Sequence, residues 1–137
     1  MSITFSKRKI KYEMGSGNTK SLKTSQLFSN QIYILSNCKR KMIYASHANS
    51  IEDMLRILDI MFSTNELLLK IIEENATYLS KICNLSIVKE QCHQLSNNII
   101  NFQFDITNKS EILQINVRKI CECVEMLEIY VFDNVKE

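Results

Sequence analysis

From Ser110 to Phe132 the apolar side chains recur at alternating steps of four and three residues: Leu113, Val117, Ile120, Val124, Leu127 and Val131. On an α-helix that rhythm puts all six on one stripe. Ile112, Ile115, Cys121, Cys123, Met126 and Ile129 widen it. A helix this apolar has to be covered by other helices. That requirement constrains the rest of the chain.

The same rhythm runs through Met54, Leu58, Met61, Asn65, Leu68, Ile72, Asn75, Leu79 and Ile82, and again through Val88, Cys92, Leu95, Ile99 and Phe102. The first run predicts one helix from Ile51 to Cys83, because its phase survives Ser63-Thr64-Asn65-Glu66. Ser50 is its N-cap candidate, with Glu52 and Asp53 in the first turn. The second predicts a helix from near Ser86, ending at a polar link, Asp105 to Lys109. Ser110 then caps the last helix, with Glu111 in its first turn. Phe28, Ile32, Leu35 and Met42 predict an earlier helix from near Ser25 to near Ala45. Asn65 and Asn75 sit on a seam that is otherwise dry. Such residues fix register in coiled coils, or mark a place where the seam meets water.

The chain has no Pro and only two Gly. Strand-rich and doubly wound folds need more turn residues than that. The expected fold is all-α: a three- or four-helix antiparallel bundle with coiled-coil-like seams and small crossing angles. A length of 137 residues fits one such domain over residues 25–137, behind a basic, flexible N-terminal arm at residues 1–24.

Charge is unevenly distributed. Residues 1–49 carry nine Lys/Arg and one acid, whereas residues 50–137 carry eight Lys/Arg and fourteen acids. Lys7, Arg8, Lys9 and Lys11 lie among Phe5 and Tyr12. Lys39, Arg40 and Lys41 form a second cluster near the end of the first helix. Both clusters are candidates for electrostatic contact, although cations at a helix C-terminus also complement its dipole.

Catalytic and metal chemistry find little support in the pattern. The five cysteines are odd in number and irregular in spacing. Cys121 and Cys123 point about 200° apart on a helix, and Cys92 and His93 about 100° apart, so neither pair converges on one ion or one substrate atom. No Gly-rich phosphate loop and no recognisable triad is present. No catalytic residue, metal, cofactor or small-molecule substrate is therefore expected. Free cysteines without a signal-peptide pattern predict an intracellular protein, cytoplasmic or nuclear, and no run is apolar enough for a membrane span.

The expected function is that of a non-catalytic helical subunit or adaptor, packing against a protein partner or a copy of itself through apolar helix faces. The reason is a surplus of apolar residues beyond the seams: Leu67, Leu69 and Ile71, then Ile112 and Tyr130. Of these, Leu69, Ile112 and Tyr130 are the candidate contact residues. Two other readings stay open. One is a nucleic-acid-associated factor using residues 1–49. The other is a small viral or mobile-element inhibitor of a host protein, which the Ile-, Asn- and Lys-rich composition permits without supporting it.

Overall fold

The computed structural model describes residues 19–108 and 114–133, which are helical apart from short links and contain no strand. Four long helices are present: α1 (Thr19–His47), α2 (Ile51–Glu74), α4 (Leu85–Asn108) and α5 (Gln114–Glu128). A one-turn helix, α3 (Ala76–Leu79), lies between α2 and α4, and α5 runs on into a π-helical turn, Ile129–Asp133. α1 packs against α2 and α5; α4 packs against the same two.

The seams read from the sequence form the core. Phe28, Ile32, Leu35 and Met42 of α1 are fully buried with Met54, Leu58, Met61 and Leu68 of α2. Val88, Cys92, Leu95, Ile99 and Phe102 of α4 join Ile120, Val124 and Leu127 of α5 in the same cluster. Each fully buried Leu, Ile or Phe contributes about 2 kcal/mol by leaving water, so repetition along four helices supplies most of the drive to fold.

The α1–α2 link is three residues long, and its local chemistry is explicit. Ser50 N–H donates to the Ala45 carbonyl at 2.9 Å and Asn49 N–H to the Ser46 carbonyl at 3.1 Å. This pattern closes a helix C-terminus and needs one left-handed residue. Asn49 supplies it at φ 54°, a conformation Asn tolerates better than most side chains. Ser50 then begins α2 as expected: its hydroxyl accepts from Asp53 N–H at 3.4 Å. One residue thus ends one helix and starts the next, which sets the α1–α2 register tightly.

Several boundaries differ from those expected. α1 starts at Thr19 rather than near Ser25 and ends at His47. The link expected at Asp105 is helical as far as Asn108. The largest correction concerns the helix expected to run from Ile51 to Cys83. It is continuous through Ser63–Glu66 but ends at Glu74. Asn75 stops it. Its backbone turns to φ −130°, ψ 30°, and both its N–H and its side-chain amide donate to the Ile71 carbonyl at 3.0 Å. Glu73 and Glu74 also place negative charge at the negative end of the helix dipole. Leu79 and Ile82 keep their phase and stay buried, but α3 and the following turns carry them.

Polar ties cross between the helices. Asn65, fully buried, donates its amide from α2 to the Cys92 carbonyl at 2.7 Å and to Ser96 Oγ at 2.8 Å on α4. Gln103 of α4 donates to Asp59 of α2 at 2.9 Å. Asn116 of α5 donates to Asp105 of α4 at 3.1 Å. Between α1 and α5, Lys39 Nζ lies 3.0 Å from Glu128 Oε1 and 3.8 Å from Glu125, and the Ser36 hydroxyl donates to Glu128.

Candidate interaction surface

Beside the core-facing stripe of α1 the next row around the helix is Leu27, Ile34, Lys41 and Ala48, seven residues apart. The corresponding row of α2 is Asp53, Ile60, Leu67 and Glu74, again seven apart. Lys41, Tyr44 and Ala45 of α1 and Ala48 of the link line one groove of about 520 Å³ with Asp53, Arg56, Ile57 and Ile60 of α2. The tight α1–α2 link therefore puts Lys41 across from Ile60.

The two rows leave Leu27, Ile34, Ile60 and Leu67 exposed, and Tyr44 beside them is 78% exposed. Scattered apolar residues on a surface are ordinary, but several on the outer sides of one helix pair form a patch. Other large apolar side chains are exposed at Ile43 on α1, Ile51 on α2, Ile100 and Phe104 on α4, Ile115 on α5 and Ile129 beyond it.

The electrostatics of this helix pair are polarised. α1 contains five Lys/Arg and no acid. α2 contains six acids against two cations. The Ser50 hydroxyl, followed by Arg56, holds the Asp53 carboxyl below the usual carboxylate range.

Among the expected contact residues, Lys39 is folded into the molecule: its side chain is 14% exposed and its charge meets Glu128 and Glu125. Arg40 is exposed and bonds Asn37 on its own helix. Lys41 is exposed at the rim of the apolar groove. The triplet thus divides into one structural cation and two surface cations. Leu69 and Tyr130 are half-buried and pack against the core. Leu67 and Leu69 line a second groove, between α2 and α4, with Glu66, Lys70, Glu73, Lys89 and His93. Ile112, Lys7, Arg8, Lys9 and Lys11 lie outside the described residues, as does most of the expected arm. The row of Leu27, Ile34 and Ile60 was not singled out from the sequence. Its signal was a heptad running beside the seams, in which only Leu67 stood out as surplus.

Four of the five thiols, Cys38, Cys92, Cys121 and Cys123, are buried. Burial pushes Cys92 up to about 12 and Cys121 up to about 11, and it raises Cys38 and Cys123 as well. The nucleophilic and metal-binding form is the thiolate, so these sulfurs are neutral at pH 7. Cys123 accepts a hydrogen bond from the Asn98 amide at 3.4 Å, in a polar groove between α4 and α5 that Gln91, Gln94 and Glu122 also line. Both histidines are exposed. Among the described residues no three His, Cys, Asp or Glu side chains group to hold a metal ion, and no helix is long and apolar enough to cross a membrane. Comparison with protein-family models, with curated proteins and with solved structures finds no match.

Proposed function

We propose that the chain is a non-catalytic helical interaction module, and that its contact surface is the outer face of α1 and α2. The observation that carries this reading is the exposure of Leu27, Ile34 and Tyr44 on α1 and of Ile60 on α2, with Tyr44 and Ile60 lining one groove between the two helices. Apolar side chains exposed in this way gain by burial against another protein surface. We also read the four long helices as an antiparallel bundle with coiled-coil-like seams, on the strength of the four-three spacing that runs on from α2 and of the pairwise neighbours of the helices. A rigid bundle presents its outer rows with little conformational entropy left to lose on binding.

Neutral, buried thiols favour this reading over covalent catalysis. Nucleic-acid contact through residues 1–49 is the second reading. The all-basic charge of α1 favours it, and the capture of Lys39 by Glu128 removes one cation from it.

The test is capture of partners from the native source with the full chain and three variants, each checked for helicity. Tyr44→Glu and Ile60→Glu are expected to lose the specific partner, and Phe104→Glu to retain it. Retention by both groove variants, or loss with Phe104→Glu alone, refutes this surface.

A further inference from the structure

We infer that the solvent face of α1 receives an amphipathic helix of a partner protein, one that carries carboxylates beside its own apolar stripe. This deepens the proposed function and rests on its choice of surface. The argument begins with spacing. Lys23, Leu27, Asn30, Ile34, Asn37, Lys41 and Tyr44 recur at alternating steps of four and three residues, and all seven are exposed. α1 therefore carries a second stripe of seam-like period, turned to solvent. Ile60 of α2 extends its apolar part across the groove that Lys41 and Tyr44 also line. A stripe of that period, about 32 Å long at 1.5 Å per residue, matches another helix laid along it.

Charge selects the kind of helix. α1 contains no acid. Lys39 is turned to Glu128 and Glu125 of α5 and takes no part in this face. Lys23 and Lys41 remain on the stripe, and Arg40 is exposed next to Lys41. None of these three forms an ion pair with another described residue, and Arg40 reaches only the neutral Asn37. On the α2 side of the groove Asp53 is already paired with Arg56 at 2.8 Å. The stripe thus offers unpaired positive charge at two levels, roughly 27 Å apart, with Leu27 and Ile34 between them. Carboxylates flanking the apolar positions of a partner helix fit that arrangement, and cations there are repelled.

The same stripe matches nucleic acid and lipid less well. A phosphate backbone uses the cations and leaves Leu27, Ile34 and Ile60 uncovered. Acyl chains strand Asn30 and Asn37 in the middle of the stripe, whereas a polar residue on a facing helix meets them.

The probe is a pair of synthetic helical peptides of about 20 residues, long enough to span the stripe. Both carry leucines at four-three spacing; one has glutamates beside them and its twin has lysines. Fluorescence anisotropy with the full chain should show the acidic peptide binding roughly tenfold tighter or more at about 0.05 M salt, with the gap shrinking toward about 0.5 M. Lys23→Glu with Lys41→Glu in one chain should abolish that preference with helicity unchanged, and Lys41→Arg should keep it. The same reversal on α5, Arg118→Glu with Lys119→Glu, should also keep it. Equal binding of the two peptides, binding of neither, or a preference that survives reversal on α1 or is lost equally by reversal on α5 overturns the inference. Tighter binding of phosphatidylserine vesicles or mixed-sequence RNA than of the acidic peptide overturns it too. If it falls while Tyr44→Glu still loses the partner from the native source, the surface stands and only its occupant is wrong. If Tyr44→Glu alters neither, both fall.

Discussion

Replacing Lys39 with Met removes the cation from a site where two acids and a hydroxyl converge. At 3.0 Å, the separation of Lys39 Nζ and Glu128 Oε1, an ion pair is worth about 5 kcal/mol at an effective dielectric near 20, before the cost of taking both groups from water. Breaking a fully buried pair costs roughly 3–5 kcal/mol, mostly because one charge is left behind. Here the side chains remain 14% and 22% exposed, so water moderates the loss. The expected cost of Lys39→Met is about 2–3 kcal/mol, or roughly 10 °C in Tm for a domain of this size. Glu128→Leu should cost a similar amount. The double variant should lie within about 1 kcal/mol of wild type, since neither charge is then stranded. Urea unfolding followed by helicity at pH 7, on all four proteins, gives the double-mutant cycle. A loss below about 0.5 kcal/mol for Lys39→Met, or simple additivity in the double variant, would show that this pair does not tie α1 to α5.

Two further outcomes follow from buried groups. Asn65→Leu gives up two hydrogen bonds, each worth about 1 kcal/mol net, but also removes Asn65 Oδ1, which is buried without a partner at a cost of about 1–3 kcal/mol. Its stability in urea should equal or slightly exceed wild type, whereas Asn65→Asp aims a charge at the Cys92 carbonyl and should lose about 3 kcal/mol or more. Cys92 governs the alkaline limb. Its thiol is neutral in the folded protein up to about pH 12, while the unfolded thiol ionises near pH 9. Between those values the unfolded state holds fewer protons, so stability falls as pH rises, by about 1.4 kcal/mol per pH unit. The advantage of wild type over Cys92→Ala should therefore shrink from pH 9 to pH 10.5, and a constant difference would contradict the burial of this sulfur.

The core of this fold was legible because burial follows period. Every residue of the predicted Val88–Phe102 seam is fully buried, as are Met54, Leu58, Met61, Asn65 and Leu68 of α2. Ser50 was legible as a cap because its hydroxyl acts on its own neighbours. The end of α2 was hidden because Leu79 and Ile82 kept the helical phase while Asn75, a side chain that competes for backbone carbonyls, ended the helix. The role of Lys39 was hidden for a different reason. Within α1 it is one of three consecutive cations, and only the approach of α5, 89 residues away in sequence, makes it a partner of Glu128. The outer rows of α1 and α2 fell between these cases. Their spacing was in the sequence, but their exposure depended on how the four helices pack.

The most direct measurement is a backbone NMR titration of the full chain with the partner captured from the native source. Amide shifts that move should cluster around Leu27, Ile34, Tyr44 and Ile60, while those around Ile100, Phe104 and Ile115 stay fixed. Movement centred on Phe104 and Ile115 would contradict an α1–α2 contact face.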